Sequence, residues 1–134
     1  MTIITILTLL LLLDPLNALF VGQYGIVEQS PIFAPDRSRR FGMSHWNPPY
    51  IAIDLPLIND WPVPGGKEDH RVWAACVLAH EAAHLRFQAR TEDIPLAMQY
   101  VCLDRLGAAW YLKQMVYQQM LEAIVPPTNQ GVAD

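Results

Sequence analysis

The sequence AHEAAH at residues 79–84 places an H-E-x-x-H pattern in a segment with the periodicity of a helix. His80 and His84 are four residues apart and therefore lie one turn apart on the same helix face, where both imidazoles can reach one metal ion. Glu81 lies between them and can accept a proton from a water molecule bound to that ion. The pattern therefore predicts a metal-binding helix with His80 and His84 as ligands and Glu81 as the catalytic base.

The competing interpretation is an ordinary helix that carries two unrelated histidines. The chain has four histidines, and two of them fall in this pattern. Both residues between Glu81 and His84 are alanine, which allows another group to approach the helix closely. An unpaired imidazole on a buried face would be unfavourable, and a metal ion would compensate for its burial. We therefore favour the metal-binding interpretation.

Composition limits the protein to a few broad classes. With 134 residues, 52% of them hydrophobic and 16% charged, the chain suits one domain with one core. The net charge of −4 gives no attraction for nucleic acid, so we expect no nucleic-acid partner. The basic cluster at residues 37–40 is interpreted as a solvated loop. Cys76 and Cys102 have no CxxC partner and are expected to be buried free thiols, or one disulfide if the protein is exported.

The N-terminal segment, residues 1–20, allows two interpretations. Ile3–Leu13 is an uncharged apolar run that resembles the core of a signal peptide, with cleavage expected after Ala18. Alternatively, Asp14 caps a helix that has Pro15 in its first turn, and the segment is part of the fold. The run is too short to span a membrane as a helix. We favour the folded segment and a cytoplasmic location, and expect membrane association only if the run is a signal or an anchor.

Residues 21–127 are expected to form one α+β domain, followed by a frayed tail at residues 128–134. The strongest strand pattern is Tyr50–Leu55, which is rich in β-branched residues. Prolines on both sides of it indicate an edge strand. Together with a weaker pattern at Tyr24–Glu28, it predicts a small antiparallel sheet built from residues 24–55.

The rest of the domain is predicted to be helical. A long helix from Lys67 to about Arg90 is apolar on two sides and should be buried in the middle of the domain. The first stripe consists of Val72, Cys76, Ala79 and Ala83. The second consists of Trp73, Val77, His80, His84 and Phe87. Two further helices are expected, one capped by Thr91 and one from Ala108 to about Val125, with a loop at Pro56–Gly66. The predicted fold is therefore a small sheet packed on a central metal-binding helix and two further helices.

A catalytic zinc site takes three protein ligands and keeps one position for water, so a third ligand must come from outside the pattern. Glu92 follows the helix, and a reverse turn there would fold it back onto the metal. Its neighbour Asp93 is the alternative, and either carboxylate could instead complement the dipole of the next helix. Further candidates are Gln99, Asp104 and Glu122. His45 and His70 are less favoured as ligands. His70 suits an exposed position in the first turn of its helix.

Residues 77–88, VLAHEAAHLRFQ, and residues 91–107, TEDIPLAMQYVCLDRLG, resemble the small zincin-like metallopeptidases of the gluzincin type. The resemblance covers Trp73 to Gly107 and implies a zincin-like α+β fold. It also implies Zn²⁺ as the cofactor and a peptide or protein as the substrate. The H-x-x-G-x-x-H extension that is typical of metzincins is absent.

The resemblance assigns roles by position. His80 and His84 match the metal ligands of the family, Glu81 its general base and Glu92 its third ligand. Pro95 stands where the family usually has a small residue, and the interval between His84 and Glu92 is short. The strand Tyr50–Leu55 resembles the strand that borders the cleft in zincins and pairs with the substrate backbone.

These observations predict a zinc-dependent peptidase in which Glu81 accepts a proton from the attacking water. His70, Tyr100 and Tyr111 are candidates for a further donor to the substrate carbonyl oxygen. The alternative is a catalytically weak or inactive zincin-like binding or regulatory module, of the phage or toxin-system type. A di-iron helical protein is disfavoured, because that architecture requires a second E-x-x-H segment and the chain has none.

Overall fold

The computed structural model describes residues 1–124. Within that range it has six helices and three strands: α1 Ile3–Leu13, α2 Pro15–Val21, β1 Gly25–Glu28, β2 Gly42–Trp46, β3 Pro49–Ile53, α3 Leu55–Asp60, α4 Gly66–Arg86, α5 Asp93–Arg105 and α6 Trp110–Ile124. The predicted α+β class is confirmed, although more helices accompany the central one than expected. The predicted frayed tail at residues 128–134 lies outside the described residues.

The sheet is mixed, so the prediction of an antiparallel sheet is wrong. Its strand order is β1-β3-β2, with β2 antiparallel and β1 parallel to β3. β2 and β3 are joined by a tight turn, which permits only antiparallel pairing. The chain between β1 and β2 is long enough to cross over, so β1 adds to the other side of β3 in the parallel sense.

The strand predicted at the edge is instead the central strand, β3. Pro49 is its first residue, and Pro56 lies beyond its end, in the first turn of α3. The prolines therefore end the strand and remove no hydrogen bond from its centre. The predicted loop at Pro56–Gly66 is partly helical, because α3 extends from Leu55 to Asp60. The Asp54 carboxylate caps this helix by accepting a hydrogen bond from Leu57 N at 3.0 Å.

α4 is the central helix of the fold, as predicted. It packs against α1, α2, α3, α5, β2 and β3, while α6 packs on α5. Most residues of its two predicted apolar stripes are buried, whereas His80 is part-buried and Phe87 is half-exposed. Cys76 and Cys102 are buried free thiols, as expected, and burial raises the pKa of Cys76.

The N-terminal segment is folded onto α4. Ile6 and Leu10 of α1 are 0% exposed and belong to the core. Asp14 and Pro15 begin α2 as predicted, with the Asp14 carboxylate accepting hydrogen bonds from Asn17 Nδ2 at 2.6 Å and from Arg105 Nη1 at 2.9 Å. Among the described helices, none combines the length and hydropathy needed to cross a membrane.

Removal of the Asp14 carboxylate is expected to destabilise the protein. Asp14→Ala takes the cap from α2 and leaves the buried amide of Asn17 without its acceptor, which should lower the free energy of unfolding by about 2–3 kcal/mol. Asp60→Ala is the matched control, because Asp60 is exposed at the end of α3. Urea denaturation of both variants measures the difference. Equal stability of the two variants would contradict a structural role for Asp14.

Candidate metal centre

His80, Glu81 and His84 lie together in the last turns of α4. One ligand atom of each side chain lies within 4.8 Å of the others. The two imidazole rings have centroids 5.1 Å apart and meet edge to face. Their side chains are only 13% and 10% exposed. Both rings therefore share one side of the helix, as the spacing in the sequence predicts.

Glu92 contacts both histidines. Its Oε2 lies 2.9 Å from Nε2 of His80, and its Oε1 lies 3.0 Å from Nε2 of His84. The turn between α4 and α5 returns the chain to the helix, with Ala89 N donating to His84 O at 3.0 Å and Gln88 in the left-handed region at φ 50°. The structure thus brings together the three residues that the sequence predicts as ligands.

The other carboxylates considered as ligands lie elsewhere. Asp93 Oδ1 accepts a hydrogen bond from Thr91 Oγ1 at 2.6 Å, which holds it in the first turn of α5. Asp104 pairs with Lys113 at 3.2 Å, near the other end of α5. Glu122 is an exposed residue of α6 that does not line the cleft beside the histidines. Glu92 is therefore the carboxylate that the fold directs at His80 and His84.

Nδ1 of each histidine also has a hydrogen-bond partner. Nδ1 of His84 lies 2.7 Å from the carbonyl oxygen of Ala89, and Nδ1 of His80 lies 2.8 Å from Oε1 of Gln99. Because both partners are acceptors, each neutral ring carries its proton on Nδ1 and leaves the Nε2 lone pair free. Gln99, considered as a possible ligand, instead orients His80. Two imidazole nitrogens and one carboxylate form a donor set that fits a divalent transition metal.

The charges of the three groups depend on one another. Hydrogen bonds from His80 and His84 hold the pKa of Glu92 well below its usual value. Burial alone would lower the pKa of His84, but its hydrogen bonds to Glu92 and to the Ala89 carbonyl outweigh burial and raise that pKa. In the absence of a metal the carboxylate therefore favours a proton on Nε2 of His84, and a bound cation would have to displace it.

Glu81 is positioned by the sheet. Oγ of Ser44 in β2 lies 2.7 Å from Oε1 of Glu81 and 2.9 Å from its carbonyl oxygen, and it can donate to either. Glycine is required at position 42 for this approach, because a Cβ there would lie 2.7 Å from Cγ1 of Val77. The other carboxylate oxygen, Oε2, stays 3.9 Å from Nε2 of His80. Sequence reasoning did not identify Ser44, since only the fold brings it to Glu81.

A cleft of about 620 Å³ opens beside the three groups. β2 and the loop at residues 32–41 form one side of it, and α4 with residues 89–92 forms the other. The ring of Trp46 on β2 lies 4.1 Å from Cζ of Arg90, so a cation–π contact connects the two sides. Among residues 1–124, β2 has no strand on its outer side, and β2 rather than β3 is the edge strand at the cleft.

None of the three candidates for a further donor lines this cleft. His70 is buried near the start of α4, where its Nε2 contacts the carbonyl oxygen of Trp61. Tyr111 donates to the buried carboxylate of Asp69. His45, a less favoured ligand, stacks on Tyr50. The prediction that His70 is exposed is therefore wrong, and polar side chains such as Gln119 and Arg90 reach the cleft instead.

The role of Gln99 can be tested by replacement with a residue of similar size. Gln99→Leu removes the acceptor for Nδ1 of His80 and should lower the affinity for a divalent metal by about 10–100-fold. Gln118→Leu, at an exposed position of α6, is the control. Competition titration against a zinc-sensitive dye measures the affinity of both variants. Equal affinities would show that the hydrogen bond does not orient His80.

The resemblance to gluzincins stays a prediction from the sequence. In comparisons with protein-family models, with curated proteins and with solved structures, nothing matches this chain at a significant level.

Proposed function

We propose that the protein is a metal-dependent peptidase with zinc as its cofactor. The observation that carries the proposal is the contact of one carboxylate, Glu92, with Nε2 of both His80 and His84 at 2.9 and 3.0 Å. Glu81, also on α4, instead accepts a hydrogen bond from Ser44 Oγ at 2.7 Å. Three candidate ligands and a separate carboxylate are what hydrolysis by an activated water requires.

Zinc suits the donor set, because two imidazoles and a carboxylate are common ligands of catalytic zinc. His80, His84 and Glu92 would hold it. When bound, it would polarise a substrate carbonyl and make a water molecule acidic enough to lose a proton near neutral pH. The hydrogen bonds to Gln99 and to the Ala89 carbonyl keep the two rings in the orientation that leaves Nε2 free.

Glu81 is the group that would move the proton. Its carboxylate borders the cleft, and Ser44 fixes one oxygen while the other remains on the side of His80. A carboxylate so placed can accept a proton from an attacking water and pass it to the leaving amine. Ser44 is therefore a positioning residue that restricts the rotation of Glu81.

The outer edge of β2 would bind the substrate backbone. Its Gly42, Met43, Ser44 and Trp46 line the cleft, and backbone groups on the free edge of a strand can pair with an extended peptide. This arrangement replaces the sequence-based expectation for Tyr50–Leu55, because β3 is paired on both sides. An extended peptide or an unfolded protein segment is therefore the proposed substrate.

A specific observation also favours the second function, a binding module without catalysis. The contacts of Glu92 with both histidines connect α4 to the beginning of α5, and a metal there could serve the fold alone. Thermal unfolding with and without a chelator separates the two functions. A peptidase should lose hydrolysis on chelation and keep its fold, whereas a structural site should unfold.

The direct test is cleavage of an unfolded protein substrate by the purified chain loaded with zinc. We expect cleavage that stops on addition of a chelator and returns when zinc is restored. Absence of cleavage by a chain that has bound one zinc ion would exclude the peptidase and leave the binding module.

A further inference from the structure

α1 and α2 expose an aliphatic surface to solvent. We call it the aliphatic face and define it by six side chains: Ile4, Leu11, Leu12, Leu13, Leu16 and Leu19. Each of them is between 46% and 77% exposed. Asp14 is the single residue that separates the two helices. Leu11, Leu12 and Leu13 precede it and Leu16 and Leu19 follow it, so these leucines are close together along the chain. Soluble proteins rarely expose so many large aliphatic side chains in one short segment.

The aliphatic face is also free of exposed charge. Asp14 is the only residue with a charged side chain between Met1 and Val27, and it is 0% exposed. The polar side chains between the leucines of α1 are threonines, and Thr8 donates to the carbonyl oxygen of Ile4 within the helix at 2.8 Å. A solvated helix face normally carries charged residues, and this one has none.

The fold does not account for these leucines. α1 supplies Ile6 and Leu10 to the core, and α2 supplies Val21, each of them 0% exposed. Polar residues at the exposed positions would leave those core contacts intact. The apolar character of the aliphatic face therefore indicates a second contact, made outside the folded domain.

Two arginines border the face. Cζ of Arg86 lies 4.4 Å from the centre of the Phe20 ring, next to Leu19. Arg105 pairs with Asp14, next to Leu13, and its side chain remains 47% exposed. An aliphatic surface with arginines at its margin matches the interface of a lipid bilayer, where acyl chains meet phosphate groups.

We propose that α1 and α2 bind the surface of a lipid bilayer and lie in its interface with the aliphatic face in the acyl chains. Both helices are too short to span the bilayer, so they would lie parallel to it. A protein partner fits less well, because protein interfaces are enriched in aromatic, methionine and arginine contacts. The exposed side chains at the centre of this face are leucine, isoleucine, threonine and one proline, Pro15.

The proposed membrane contact is separate from the cleft. Of the residues that the structure describes, none in α1 or α2 lines the cleft. The proposal does not depend on hydrolytic activity.

Flotation with vesicles of phosphatidylcholine and phosphatidylglycerol tests the proposal on the full chain. We expect the wild type to float with the vesicles, and the double variant Leu12→Gln/Leu19→Gln to partition into them at least about tenfold less, because two apolar side chains no longer enter the bilayer. These positions are 73% and 61% exposed, so the variant should have the thermal unfolding midpoint of the wild type. Trp110→Gln, at a residue of α6 that is 74% exposed, is the matched control and should float like the wild type.

Three results would overturn the proposal. The first is a wild-type chain that stays with the unbound protein, and the second is a double variant that floats as well as the wild type. The third is a wild-type dimer in sedimentation velocity that becomes a monomer in the double variant while neither binds vesicles. In that case a second copy of the chain covers the aliphatic face.

Discussion

Glu81→Gln is expected to reduce peptide hydrolysis by about 10²–10⁴-fold while the protein keeps its metal. Glutamine has the size of glutamate and can still accept a hydrogen bond from Ser44, but its amide cannot take a proton from water. The proposed ligands His80, His84 and Glu92 are unchanged in this variant. Activity on an unfolded protein substrate and zinc content by mass spectrometry, measured on the same preparation, check both parts.

The matched control for this variant is Glu68→Gln. Glu68 is on the same helix, α4, but is exposed in its first turn, far from the cleft. It should retain full activity, which shows that loss of a carboxylate from α4 is not harmful in itself. Hydrolysis by Glu81→Gln at the rate of the wild type would show that another group accepts the proton.

Glu92→Gln is expected to have the largest effect on metal binding, a fall in zinc affinity of more than about 100-fold. Loss of a residue that only orients a ligand already lowers affinity by about 10–100-fold, and removal of a direct ligand should exceed that. The amide is a poor ligand for zinc, and it also leaves His80 and His84 without the negative charge between them. Zinc per chain after dialysis, together with competition titration, measures the change.

Asp93→Asn is the control for this second prediction. It makes the same change of charge at the adjacent residue, which the sequence left as the alternative ligand. Because Asp93 contacts Thr91, its variant should bind zinc as tightly as the wild type. Zinc retained by Glu92→Gln and lost by Asp93→Asn would reverse the assignment of the third ligand.

Features that depend on residues close in sequence could be predicted. The spacing of His80 and His84 is set by the repeat of the α-helix, and any helix would bring them to one face. Asp14 and Pro15 start α2 through a local hydrogen bond and a fixed φ angle, which are also independent of the rest of the fold. Glu92 and Asp93 are only a short turn beyond α4, so the return of a carboxylate to the histidines was predictable, but the choice between the two was not.

Features that depend on contacts between distant segments could not be predicted. The direction of β1 and the central position of β3 follow from how the chain crosses between strands, which strand periodicity does not encode. The same pair of prolines is compatible with an edge strand and with a central strand that ends at them. α3 is not predicted for a related reason: the strand pattern Tyr50–Leu55 includes Asp54, and the prolines and glycines of Pro56–Gly66 indicate a loop.

The residues that support the site belong to this second group. Ser44 reaches Glu81 across 37 positions of sequence, and Gln99 reaches His80 across 19. Serine and glutamine have no pattern that marks them as partners of a distant side chain. For the same reason His70, Tyr100 and Tyr111 were credible donors in the sequence and are absent from the cleft in the fold.

The amino-acid order alone established the H-E-x-x-H helix, the start of α2 and the α+β class, because each depends on the periodicity and caps of a single segment. Packing of that helix against the sheet and α5 established the rest: which carboxylate faces the histidines, which strand borders the cleft, and which leucines remain outside the core. A leucine at residue 10 and a leucine at residue 12 have the same chemistry, yet one is 0% and the other 73% exposed. Burial is a property of the surroundings, and those surroundings form only when distant segments of the chain meet.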